Sequence, residues 1–315
     1  MDYTILGRTG LRTSVMGLGC GGHSRLGLSA GKSEENAIGI VREALALGVN
    51  FIDTAEGYGT EPVVGKALAA EGVVRAEVIL STKASPRIKD RRARPEEMRA
   101  RVDASLERLQ TDYVDVFHLH GVSLSDYPYC AAELYLALSA LRAEGKIRFL
   151  GITEAFIPDP QHRMLRRALE DDHWDVVMVG FNLLNQSARD RVLARTREKN
   201  IGVLDMFAVR RALSRPEALR TLMQDLADQG LVDPAGYDPE DPLGFLLENG
   251  GAESIPDAAY RFCRWEPGVH VVLSGTGSVE HLRENAASLD RPPLRDADVE
   301  RLKTLFARVD SVSGN

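Results

Sequence analysis

Short apolar runs rich in β-branched residues alternate with segments of helical length along almost the whole chain, the pattern of a parallel α/β fold. Eight runs read as strands: VMGLGC, VNFID, EVILSTK, YVDVFHLH, IRFLGIT, DVVMV, IGVLDM and VHVVLS. With their ends at Cys20, Asp53, Lys83, His120, Thr153, Val179, Met206 and Ser274, the first six intervals are 33, 30, 37, 33, 26 and 27 residues. Each interval suits one strand–helix unit. The last, 68 residues, is too long for one unit and contains the helical run RPEALRTLMQDLADQ and the turn-rich DPAGYDPEDP, so an insertion is expected before the last strand.

From Pro95 to Gln110, Met98, Val102, Leu106 and Leu109 recur at helical spacing, the apolar stripe of a helix lying on a sheet. Ser33 reads as the N-cap of a helix beginning EENAIGIVREAL. The opening YTILGRTGLRTSV predicts a β-hairpin turning at Gly7 to Gly10, and Asp296 to Val309 predicts a closing helix; both would cover barrel ends. No low-complexity linker divides the chain, so residues 1–315 are expected to form one domain. Alternation alone permits an open, doubly wound sheet, but eight near-equal units favour a (β/α)₈ TIM barrel.

Composition narrows the setting. The 315 residues are 44% hydrophobic and 27% charged with net charge −7, which offers no electrostatic grip on nucleic acid or anionic lipid. Three widely spaced cysteines, Cys20, Cys130 and Cys263, fit free thiols in a reducing compartment. The N-terminus lacks the basic and apolar regions of a signal peptide, and no run of about 18 apolar residues occurs. A cytoplasmic protein acting on a small molecule is expected; the sequence does not address oligomeric state.

Two phosphate-binding motifs fail on context. Gly17 to Gly22 matches GxGxxG, but the following HSRLGLSAG is not the helix start the fingerprint needs. Ala30-Gly31-Lys32-Ser33 resembles a phosphate loop, yet Leu26 stands where its first glycine belongs.

In a (β/α)₈ barrel the chemistry lies at the C-terminal strand ends, which gives weight to polar residues ending apolar runs. Asp53 ends NFID, Tyr58 follows in TAEGYG, Lys83 ends VILSTK and His120 ends VFHLH. Singly, each has an ordinary explanation as a cap, a loop aromatic, a solvated strand end or a core histidine. Together they set a carboxylate, a phenol, an ammonium and an imidazole on consecutive units, as proton donation to a carbonyl requires. Lys83 would lower the pKa of Tyr58, Asp53 would hold Lys83 charged, and His120 would polarise the substrate oxygen. The hydride must come from a cofactor. No His/carboxylate cluster has metal-ligand spacing, so no metal is expected.

YTILGRTGL, FIDTAEGYG, SLERLQTDYVDVFHLHG, LRAEGKIRFLGIT, FNLLNQ and SGTGSVEHLREN resemble, in order, signatures of the aldo-keto reductase family over nearly the whole chain. The resemblance implies the barrel, a nicotinamide cofactor with NADP(H) ahead of NAD(H), and a catalytic tetrad of Asp53, Tyr58, Lys83 and His120. It selects His120 over His118. The cofactor would run along strand ends at Gly19, Cys20, Asp53, Thr153, Glu154, Met178, Met206 and Phe207. Its adenosine phosphate would lie at Ser274, Gly275, Thr276, Gly277 and Ser278 and the helix they begin, with His281, Glu284 and Asn285 near the adenine. Departures from the family pattern are Glu154 for Asn, Met178 for Gln, Met206 for an aromatic, and Gly275 and His281 for Lys and Arg. These leave a second reading, a catalytically weak nucleotide-binding regulatory protein on the same barrel. Loops 21–32, 121–130 and 207–256 would shape substrate choice, with Tyr127, Tyr129, Phe207 and Phe245 available to line a pocket.

Overall fold

The computed structural model describes residues 1–248 and 251–315. Eight parallel strands form a closed barrel: β1 Met16–Gly19, β2 Phe51–Asp53, β3 Ile79–Ala84, β4 Val114–Val122, β5 Ile147–Glu154, β6 Val176–Gly180, β7 Gly202–Met206 and β8 Val271–Ser274. Each strand pairs with the next, and β8 closes on β1 through Val272↔Met16, Leu273↔Gly17 and Ser274↔Leu18. All eight coincide with the strands read from the sequence. Strand β4 continues two residues past His120, with an irregular step between Leu119 and Val122.

The period of two along each strand separates two apolar layers. Phe51, Ile79, Val116, Val176, Met178, Leu204 and Val271 fill the barrel interior, while neighbours such as Ile52, Leu80, Phe117, Val177, Val203 and Val272 belong to the larger outer core beneath the helices. The interior is packed at its floor. Strands Tyr3–Ile5 and Arg12–Ser14 form the expected hairpin, and Leu6 and Leu11 from its turn join the inner layer. Gly202 has no side chain, which lets Leu6 approach: a Cβ there would lie 2.8 Å from Leu6 Cγ.

Helix α1 (Glu34–Ala46) begins at Ser33, whose Oγ accepts from the Asn36 N–H at 3.2 Å as expected of its N-cap. Helix α2 covers Glu61–Leu68, and α3 (Pro95–Leu109) buries Met98, Val102, Leu106 and Leu109. Between β1 and α1 the chain forms 3₁₀ turns at Arg25–Ala30 rather than an α-helix, which removes the dinucleotide-fingerprint reading of Gly17 to Gly22. The insertion is present. It contains helices Arg211–Ser214 and Pro216–Asp228 and leads to Ile255–Arg264 before β8. Within loop 207–256, residues 249 and 250 lie outside those described. The closing helix is shorter than expected, Asp296–Leu305, because Phe306 leaves helical geometry at φ −102° and ψ 15°.

Leu6→Ala is expected to cost about 3 kcal/mol, the usual scale for emptying a fully buried leucine site. The exposed Leu136→Ala should stay within about 0.5 kcal/mol of the parent. Urea unfolding midpoints check both, and equal midpoints would refute the floor's role.

Candidate active site

Inward-facing alternation and strand register bring the four expected residues to the C-terminal mouth. Asp53 is paired in register with Gly19 and Ser81, and Lys83 lies opposite His118. The Lys83 side chain is fully buried; its Nζ donates to Asp53 Oδ2 at 2.6 Å and to the Thr54 carbonyl at 2.7 Å. Ser81, two residues before Lys83 and thus on the same face, donates to Asp53 Oδ1 at 2.9 Å. Tyr58 lies in a 3₁₀ turn, Glu56–Tyr58, that ends at Gly59 with φ +73°, a left-handed conformation suited to glycine. Its ring faces Lys83 Nζ at 5.0 Å, and its hydroxyl is 3.3 Å from His120 Nε2. Gly21 is required here, because the Tyr58 ring occupies the space a Cβ would take.

Burial opposes the charge on Lys83, but its charged partners, Asp53 first among them, outweigh it and raise its pKa. The tetrad therefore contains an ammonium ion held by the Asp53 carboxylate and the Thr54 carbonyl. Tyr58 corrects the expectation: burial pushes the phenol up more strongly than Lys83 pulls it down, and the net shift is upward. A neutral phenol is thus the form present near neutrality. Burial first, then Lys83 and Arg101, push His120 down to about 3, so its imidazole is neutral. His118, one layer deeper, is fully buried and lowered for the same leading reason, with neither ring nitrogen partnered among the described residues. The Cys20 thiol is raised by burial and by Asp53, which keeps it protonated beside the ion pair.

The remaining expected residues divide between the mouth and its supports. Thr153 Oγ1 accepts from the Gly121 N–H at 2.7 Å. Glu154 is buried, and its carboxylate accepts from His162 Nδ1 at 3.0 Å and from the Gly180 N–H at 2.8 Å. Met178 belongs to the inner layer and Met206 packs partly buried against it. Phe207 has φ +74°, with the Arg210 guanidinium 3.9 Å from its ring centre. Ser274 Oγ contacts the Tyr260 hydroxyl at 3.0 Å and accepts from Asn285 Nδ2 at 2.9 Å, so Asn285 is engaged with β8. Ser278 caps the helix Val279–Asp290 by accepting from the His281 N–H; the side chains of His281 and Glu284 are exposed.

Loop 275–278 crosses the loop after β1 closely: a Cβ on Gly275 would lie 2.9 Å from Gly19 O, and one on Gly277 2.8 Å from Gly27 Cα. Lys32 Nζ donates to the Gly277 carbonyl at 2.7 Å. An ammonium, a helix N-terminus and two glycines therefore converge, an arrangement that fits the phosphates of a dinucleotide. Lys32 belongs to the motif that fails as a phosphate loop, yet the fold brings its ammonium to this loop. Of the aromatics offered as pocket lining, Tyr127 and Phe245 are in the main core, and Tyr129 donates to the Ala93 carbonyl at 2.8 Å. Among the described residues no three His, Cys, Asp or Glu side chains group as a metal site, and no helix is long and apolar enough to cross a membrane.

A closed parallel barrel with this polar group at its C-terminal mouth defines an enzyme scaffold whose chemistry is set by side chains at strand ends. The model of the aldo/keto reductase family matches residues 16–307, and the chain belongs to that family of nicotinamide-dependent oxidoreductases. It is 30% identical to L-galactose dehydrogenase of Arabidopsis thaliana over 99% of this chain and 95% of that one. It is 28% identical to the NADH-specific methylglyoxal reductase of Escherichia coli K12, covering 97% of this chain and 98% of the relative. The holo form of an aldo-keto reductase from Bacillus halodurans superposes with a TM-score of 0.74 at 25% identity, covering 97% of this chain and 96% of that one.

His118 and His120 are held below the ordinary value of 6.5, so the unfolded chain takes up their protons first as pH falls. Their contribution to stability is full above about pH 6.5 and is lost as pH drops toward 3. The urea midpoint of the parent should therefore fall more steeply between about pH 6.5 and 4 than that of a His118→Asn/His120→Asn double variant. Parallel pH profiles would count against buried neutral imidazoles.

Proposed function

We propose that the chain interconverts a small polar carbonyl compound and its alcohol with NAD(P)H, using Tyr58 as proton donor in the reducing direction. The observation that carries this is the stacked arrangement of a buried, charged Lys83 beneath the Tyr58 ring and a neutral His120 3.3 Å from its hydroxyl. Bound along the strand ends, the nicotinamide cofactor supplies the hydride.

The upward shift of Tyr58 keeps its proton available at neutral pH, and the Lys83 ammonium stabilises the phenolate left when that proton moves to the substrate oxygen. Asp53, held by Ser81, keeps the ammonium charged and aimed. His120 Nε2, neutral, orients the substrate oxygen by a hydrogen bond. In the oxidising direction the Tyr58 phenolate, stabilised by the Lys83 ammonium, accepts the alcohol proton.

Thr153, Met178, Met206 and Phe207 would line the nicotinamide end, supported by Glu154, whose carboxylate is engaged by His162 and the Gly180 N–H, and Ser274 to Ser278 with the following helix would hold the adenosine phosphates. NADP(H) is kept ahead of NAD(H) because Lys32 brings an ammonium to the loop in which Gly275 and His281 replace the family's usual cations. The substrate class is supported by relatives named for a sugar and for a short dicarbonyl.

Tyr58→Phe should lower kcat at least about 100-fold, the scale of a lost general acid, while NADPH binding followed by cofactor fluorescence is unchanged. Full turnover in that variant would end the assignment.

A further inference from the structure

Tyr58 stands between Gly57 and Gly59, so its own backbone supplies little stiffness, and the 3₁₀ turn that carries it is only three residues long. Its position must come from side chains on either side. Two arginines of α3, seven residues and so about two turns apart, reach the two acids that flank it. Arg101 holds Glu56 with a two-pronged contact, Nε to Oε2 at 3.0 Å and Nη2 to Oε1, while its Nη1 donates to the Ser85 carbonyl at 2.6 Å. Arg108 Nε donates to Glu61 Oε2 at 2.6 Å, and the other oxygen of Glu61 accepts from Thr82 Oγ1 at 2.6 Å. Thr82 on β3 and Ser85 just past its end bracket Lys83. Each arginine therefore joins the tyrosine segment to the lysine strand.

We infer that Arg101, which lies outside the tetrad, is a positioning residue for the proposed reaction: its fork on Glu56 and Ser85 sets the Tyr58 turn over Lys83. The inference rests on the reading of Tyr58 as proton donor. A guanidinium is needed for geometry as well as charge, because only a planar fork makes two parallel bonds to a carboxylate and a third to a carbonyl. Arg101 is 18% exposed and its charge is opposed by burial, so these three contacts carry its solvation. Its charge also acts through space. Burial first, then the charges of Lys83 and Arg101, hold His120 below its ordinary value, with Tyr58 against its ring and His118 beneath on the same strand.

Charge and fork separate in two variants, Arg101→Lys and Arg101→Met, compared with Tyr58→Phe. Steady-state kinetics with a reduced nicotinamide cofactor and a carbonyl substrate should show kcat lowered roughly 10- to 100-fold in both, the penalty of a reacting group displaced by about an ångström. The dissociation constant for NADPH should stay within about twofold, since no cofactor contact is touched. In the free protein, the His120 ring resonances followed by NMR should titrate at higher pH in Arg101→Met and close to the parent value in Arg101→Lys. Lowered kcat in Arg101→Lys with parental His120 titration and NADPH affinity isolates the fork from the charge and from folding. If Arg101→Met fails to fold by circular dichroism, Glu56→Gln keeps the side-chain size and removes the charge that anchors the fork, with the same kcat loss expected. Parental kcat in Arg101→Lys and Glu56→Gln, with Tyr58→Phe inactive, overturns the positioning role alone. Turnover that survives Tyr58→Phe overturns the reaction reading and the positioning role with it.

Discussion

The buried ammonium of Lys83 is the constraint around which the site is arranged. An isolated charge without solvent is among the most costly features a fold can carry, and here it is offset by a carboxylate and a backbone carbonyl within hydrogen-bond distance. Those partners exist only because β2 and β3 align Asp53 with Ser81, two residues before the lysine. A one-residue slip of β3 against β2 would turn Ser81 and Lys83 out of the barrel and leave Asp53 without its partners. The register that closes the sheet is thus also the register that holds the ion pair, and the tyrosine and histidine take their electrostatic character from it.

Burial then decides which of the competing influences wins at each group. At Lys83 the partners prevail and the charge is kept; at Tyr58 desolvation prevails over the nearby cation and the proton is kept; at His120 desolvation and two cations act together and the ring stays neutral. The three outcomes suit one another. A neutral phenol above a fixed positive charge has a proton to release and a stabilised conjugate base.

Much of this was legible in the chain because it depends on short periods. The eight strands show as β-rich apolar runs, and Asp53, Lys83 and His120 show as the polar residues that end them. Two-residue alternation even marks Ser81 as facing the same way as Lys83. The rest depends on contacts between distant segments. Nothing near Glu56 announces Arg101, 45 residues on. The sign of the Tyr58 shift required knowing how deeply the ring is buried, which no local pattern records. Glu154 reads as a departure from the family at the nicotinamide site, yet its carboxylate is engaged by His162, whose left-handed backbone at φ +59° turns the ring back onto the strand end. His162 Nε2 meets Ser187 Oγ at 3.1 Å, tying the loops after β5 and β6 together. Lys32 belongs to a motif that fails as a phosphate loop, and the fold brings it to the β8 loop from the other side of the seam.

The hairpin floor has a consequence for how the molecule is made. Leu6 meets Gly202 across nearly two hundred residues, and the β8–β1 seam joins positions about 250 residues apart. Such contacts are late to form, because long segments must be ordered before they can be satisfied. A chain still emerging from the ribosome therefore carries its first strand unpaired on one edge and its inner apolar layer uncovered until β7 and β8 appear. Exposed apolar surface of that kind favours aggregation, so substitutions at the floor are expected to reduce the yield of folded protein even though they lie at the opposite end of the barrel from the chemistry.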